Sequence, residues 1–263
     1  MNRDEFLKAV KEDPYQIENA DEAFKKDKEI VLAAVKGNGS VLEYVHDSLK
    51  KDKDVVLNAV KNGGNAIAFA DKILKKDKEI VMTAVKEMGS YLEHADKSLQ
   101  KDKEIVLAAI KTSGDGLEFA DASFKKDKKI VLEAIKTSSM ALEYADNSLK
   151  KDKEVVMASV SQNGYALTFA DNSLKKDREV VMASVKTNGN ALKEVDKSLK
   201  KDREITLTAV KKLGTALEYA DNSFKKDKEI VIAAVEQDDY ALEFADKTLQ
   251  KDKDVIKASK KKK

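Results

Sequence analysis

Two histidines, no cysteine and a recurring Lys-Lys-Asp-Lys motif set the range of chemistry open to this chain. Without a thiol there is no disulfide, no thiolate nucleophile and no ordinary structural zinc site. His46 and His94 are the side chains suited to proton transfer near neutral pH or to metal ligation. Lys150, Lys151, Lys153, Lys175, Lys176 and Arg178 are candidates for a basic stripe that could take a nucleic acid or another polyanion. A Ser/His/Asp set, a carboxylate pair and a phosphate-cradling glycine loop are missing, and the glycines fall about one per repeating segment, a spacing suited to helix caps.

The charge balance argues against a conventional nucleic-acid binder. Lys plus Arg number 50 and Asp plus Glu 48 in 263 residues, for a net charge of +2, so the positive excess that phosphate binding uses is absent overall. The first residues, MNRDEFLKAVKEDP, carry acids where a signal peptide needs an apolar run, and no stretch approaches the ~20 apolar residues of a membrane span. The expectation is a cytoplasmic protein without membrane, metal or cofactor. One proline, Pro14, and no tryptophan fit a mostly helical chain.

The elements that position these residues repeat every 25 residues. Asp27, Asp52, Asp77, Asp102, Asp127, Asp152, Asp177, Asp202, Asp227 and Asp252 keep that spacing without a slip, and Asn2 holds the same place first. Ten full repeats run over 2–251, a half-repeat cap over 252–259 and a basic tail over 260–263. With the Asp as position 1, it reads as a helix N-cap, and Glu154 in the first turn suits the helix dipole. Gly164, at position 13, reads as a left-handed C-cap, which gives a helix from 153 to about 163.

Apolar residues at positions 4, 5, 6, 8 and 9, here Val155, Val156, Met157, Ser159 and Val160, predict a wide buried arc, with position 7 turned to solvent. The segment 165–171 predicts a second helix of about two turns, with Leu167 in the core. Aromatic residues at position 18, from Tyr44 and Phe69 to Phe244, fill the gap between layers; a stacking platform for bases is the alternative. Asp171 and Ser173 predict a turn, and Leu174-Lys175-Lys176 the joint to the next repeat. Glu5, Gln16 and Asn19 at one end and Lys257 and Lys260 at the other replace core residues, as capping repeats do. The fold class is therefore all-α: one α-solenoid domain over 1–263, a superhelical stack of short two-helix repeats, expected to be right-handed.

The Asp-Lys-Glu-Ile-Val opening, the Asn-Gly before Ala-Leu-Glu-Tyr-Ala and the Leu-Lys-Lys-Asp joint resemble a family of short helical repeats, domain of unknown function 4116, over residues 2 to about 259. Repeats of that family tend to have Ser where this chain has Asp171. The resemblance implies the architecture and brings no catalytic residues with it.

Departures from the repeat are where a singular site belongs. With stacked helix pairs roughly 10 Å apart, His46 and His94 are too distant to share a metal or a proton. His94 replaces a ladder aromatic, and His46 occupies a turn. Glu194, beside Lys193, breaks the aromatic series; it marks a docking point, or it turns outward while Val195 refills the volume. Positions 12 and 14 vary most, and Met88, Met140, Tyr165, Leu213 and Tyr240 there form a candidate partner-binding edge. The function expected is non-catalytic binding of a protein or peptide, with polyanion binding through the lysines as the alternative.

Overall fold

In a computed structural model, residues 1–260 are described, and they contain helices without strands. The C-terminal residues 261–263 of the basic tail lie outside them. The chain forms two compact units, Met1–Ser138 and Ser139–Lys263.

Each repeat opens on an α-helix, such as Lys78–Glu87 and Lys103–Thr112 in the first unit and Arg178–Thr187 and Arg203–Lys212 in the second. The position-1 carboxylate starts it by accepting two of the otherwise unpaired first-turn amides. Asp77 Oδ1 takes the N–H of Glu79 at 3.0 Å and of Ile80 at 3.3 Å. The same bonds form at Asp27, Asp52, Asp102, Asp127, Asp152, Asp177, Asp202 and Asp227. The helix Lys153–Val160 is shorter than expected and ends in a turn at Ser161.

The second segment is a 3₁₀ helix, for example Gly89–His94 and Gly164–Phe169, at six residues two turns of that tighter form. The joints are shorter still: Leu74–Lys76, Leu149–Lys151 and Leu174–Lys176 are single 3₁₀ turns, while Ala122–Lys126 is a short α-helix. Within both units, consecutive α-helices pack side by side and consecutive 3₁₀ segments pack beneath them. The result is an all-α solenoid stack.

Positions 4, 5, 8, 9 and 16 make the core. Val155, Val156, Val160 and Leu167 are fully buried, as are Ile80, Val81, Ala84, Val85 and Leu92 in the first unit. Position 6 departs from the expected arc: Leu32, Leu57, Leu107 and Met157 are only half-buried, and Met182 alone in that series is buried. Position 7 beside it is also half-buried, so the boundary of the core runs between 5 and 6.

The glycines require a second correction. Among the described residues none, glycine included, has a φ in the left-handed region. The helix stops instead at an extended residue such as Asn38 or Asn188, whose side chain then caps the 3₁₀ segment. In seven repeats position 13 is glycine and presses on the next repeat, while Pro14, Ser139 and Asp239 hold the place in the others. A Cβ on Gly189 would lie 2.5 Å from the carbonyl oxygen of Ala209, and those on Gly39, Gly89, Gly114, Gly164 and Gly214 would be closer still to the matching oxygen. The residue supplying that oxygen is small as well, and where it is serine it adds a bond: Ser184 Oγ donates to Gly164 O at 2.8 Å.

Joints bond to joints. The position-20 amide donates to the position-24 carbonyl of the preceding repeat: Asp71 to Lys50 at 3.0 Å, Asp96 to Lys75 at 2.9 Å, Asp196 to Lys175 at 3.1 Å. A uniform joint sequence keeps these backbone groups in register.

Candidate functional site

The lysine stripe is largely occupied by the stack itself. Position 2 reaches into the next repeat and lies between its N-cap Asp and its position-3 acid. Lys78 Nζ stands 2.8 Å from both Asp102 and Glu104, and Lys153 Nζ 2.9 Å from Asp177 and 2.7 Å from Glu179. Arg178 pairs in the same way with Asp202, at 2.8 Å, and with Glu204. The hydrogen bond from Lys78 holds the Asp102 carboxyl below its ordinary range against a partial desolvation that opposes it. Arg3 does the same to Asp27 and Lys228 to Asp252. One rung breaks: Lys129 stands where an acid is usual, and Lys103 has no carboxylate at ion-pair distance among the described residues.

Position-24 lysines fold back on the 3₁₀ segment. Lys75 donates to Ala68 O at 2.8 Å, and Lys175 to Thr168 O at 3.2 Å. Lys151 and Lys176 lie 3.9 Å from Asp171 and Asp196. Of the six stripe residues only Lys150 makes no ion pair among the described residues; it borders a 470 Å³ depression with Lys151 and Phe169.

Glu194 does not turn outward. It sits half-buried and receives Lys175 Nζ at 3.1 Å, so a lysine of the preceding repeat compensates for the missing aromatic ring, and Val195 is buried beside it. His94 is half-buried in the aromatic series, and burial lowers its pKa. His46 takes the place of a turn-forming Asp: its Nδ1 accepts the Ser48 amide at 3.2 Å and lies 2.8 Å from Ser48 Oγ, as Asp96 Oδ1 bonds both groups of Ser98. The two histidines are thus in structural positions. The position-18 aromatics are half-buried, and Phe169 meets Tyr165 edge-on at 6.1 Å.

At the variable edge, Met88 is 47% exposed, Tyr165 50% and Tyr240 54%, whereas Met140 and Leu213 are half-buried. Elsewhere on this edge polar residues bridge repeats, as Asn65 does to Ser40 at 2.9 Å and Ser138 to Asp115 at 2.7 Å. Ile73, 65% exposed at a joint, was not expected; it stands where Ser is usual.

The surface that sequence reasoning missed is the outer face of the α-helices. Two grooves form at equivalent places in the two units: about 600 Å³ over Met157, Met182 and Lys186, and about 460 Å³ over Met82, Leu107 and Lys111. Position-6 side chains floor them, half-buried apart from Met182, and position-10 residues edge them, Ser161 and Lys186 in one and Lys86 and Lys111 in the other. A signal was present: a lysine at position 10 has an apolar residue four positions before it and, except for Glu133 before Lys136, no acid three before it, so the helix itself offers it no acid partner in the other repeats.

A family model, domain of unknown function (DUF4116), matches residues 2–50, 27–75, 77–125, 127–175, 177–225, 202–250 and 227–262. The chain belongs to this family. Six of the seven DUF4116 matches cover about two of the 25-residue repeats and the last, 227–262, about one and a half, so the family unit is a pair of adjoining helix-plus-3₁₀ segments, the smallest piece that contains one complete set of inter-repeat bonds. No curated protein and no solved structure matches the chain. Among the described residues no helix is long and apolar enough to cross a membrane, and no group of three or more His, Cys, Asp or Glu side chains is placed to hold a metal ion.

Proposed function

We propose that this DUF4116 protein is a non-catalytic scaffold that binds a protein or peptide along its repeat stack. The observation that carries this reading is the exposure of Met88, Tyr165 and Tyr240 on the variable edge, where neighbouring repeats place polar residues that bridge to one another. Aromatic and methionine side chains held half in water contribute contact area to an interface at low ordering cost. The ionisable side chains most conspicuous in the sequence are tied into bonds between repeats, which supports binding over catalysis as their setting. A cytoplasmic location is part of the reading, and cell fractionation checks it.

The test is capture from a lysate by the full chain, with and without nuclease and at moderate salt. Retention of a protein that survives both treatments, and is lost with Tyr165→Ser and Tyr240→Ser, is the expected outcome. Retention abolished by nuclease would move the function to Lys150 and its neighbours, because counterion release makes phosphate binding fall steeply with salt.

A further inference from the structure

The lysines of this chain divide into two populations. Many of those at positions 2, 24 and 25 are engaged by the next repeat or by the 3₁₀ carbonyls, as Lys78, Lys175 and Lys176 are, with Lys103 and Lys150 among the exceptions. Those at position 10 are not: Lys36, Lys61, Lys86 and Lys111 are exposed and have no carboxylate at ion-pair distance among the described residues, whereas Lys136 pairs with Glu133 at 2.6 Å. Each unpaired lysine stands one helical turn beyond a half-buried position-6 Leu or Met, on the same face. The opposite rim of the groove is already neutralised, because Glu104 is held by Lys78 at 2.8 Å. The groove of the first unit is therefore an apolar floor with one neutral and one positive border.

From this geometry we infer that the helix face of the first unit binds an acidic peptide segment of a partner protein, in an extended conformation, with its apolar side chains on Leu57, Met82 and Leu107 and its carboxylates on Lys61, Lys86 and Lys111. Charge complementarity selects an anionic occupant, and the Leu and Met floor selects one that also has apolar groups to cover it, which a phosphate backbone lacks. Packed helices lie about 8–10 Å apart. A polyproline-II chain repeats its face every three residues, about 9.3 Å. The register is therefore one apolar residue and one acid per three residues of peptide. The inference rests on the reading that the protein binds a peptide or protein, and it adds a surface distinct from the Tyr165 edge and a chemistry for the occupant.

The experiment titrates the full chain with a fluorescein-labelled peptide of five Leu-Glu-Pro triplets, and with the matching Ser-Glu-Pro peptide and oligo-dT as comparisons. The Leu peptide is expected to bind at least tenfold more tightly than the Ser peptide. Lys86→Glu with Lys111→Glu is expected to weaken it at least tenfold. The triple change Lys61→Gln, Lys86→Gln, Lys111→Gln, which removes charge without reversing it, is expected to act in the same direction should the first variant be poorly folded. Equal binding of the Leu and Ser peptides, tighter binding of oligo-dT, or no binding of the Leu peptide at millimolar concentration would overturn the inference. So would self-association of the chain that Lys86→Glu with Lys111→Glu abolishes, since a second copy would then be the occupant. Lysate capture separates the two readings: a protein retained equally by wild type and the Lys86/Lys111 variant keeps the scaffold and removes the groove, whereas no protein retained by wild type removes the scaffold itself.

Discussion

At the scale of single residues, the glycine of position 13 is the most exacting. Gly164 has ordinary backbone angles, and its lack of a Cβ lets the carbonyl of Ser184 approach. This separates it from a left-handed cap, at which Asn sometimes stands in for Gly. Gly164→Asn is expected to destabilise by about 1–3 kcal/mol, the ordinary cost of overpacking, read from the denaturant midpoint. A neutral Asn variant would show that the close approach is not the constraint. The position-1 aspartates were legible from sequence because the amides they cap lie only two and three residues further on. The role of Gly164 was not, because the atom that excludes a side chain belongs to a different repeat. The same holds for Glu194, whose partner Lys175 lies in the repeat before.

At the scale of elements, the two layers differ in how strictly they are specified. Leu167, in the 3₁₀ layer, is fully buried, as are Leu142 and Leu192 at the same position on either side of it in the second unit. Leu167→Ala is expected to cost about 2–5 kcal/mol, seen as a lowered melting temperature. Met157→Ala, at half-buried position 6, is expected to cost clearly less, and equal losses would contradict the placement of the core boundary. Apolar periodicity identified both layers, but it could not distinguish 3₁₀ from α geometry over six residues. Nor could it distinguish a groove floor from a core, since Leu at position 6 is as apolar as Val at position 5 and differs only in what the neighbouring helix covers.

At the scale of the whole molecule, stability is tied to carboxylates repeated along the chain. Asp102 and Asp252 are held below their ordinary values by lysines of the preceding repeats, Asp121 and Asp171 by the amide and then the hydroxyl of the serine two residues on, and Asp96 and Asp196 by those same groups in the opposite order of strength. A carboxyl whose folded value is lowered stabilises the fold fully above its unfolded value, about 3.9. That contribution is lost as pH falls through the folded value. The melting temperature is therefore expected to decline only slightly from neutral pH to about pH 5, as the half-buried His94 resists the proton that the unfolded chain takes up, and to fall steeply below about pH 4, and a thermal melt series checks it. A curve flat to pH 2 would mean that these bonds add nothing to the folded state. The strict 25-residue period made this architecture the most legible feature of the sequence.

The joint-to-joint bonds have a mechanical consequence. Within each unit every long-range hydrogen bond spans only one repeat, from Arg3 to Asp27 at one end to Lys228 to Asp252 at the other. A pulling force applied at a terminus loads one such set of bonds at a time and leaves the sets behind it unloaded. The unit should lengthen in equal steps, each releasing the 25 residues of one repeat, or about 80–90 Å of extended chain. The regular spelling of the joint would then appear as a regular spacing of force peaks, and a stack built this way would shed terminal repeats under load while the remainder stayed folded.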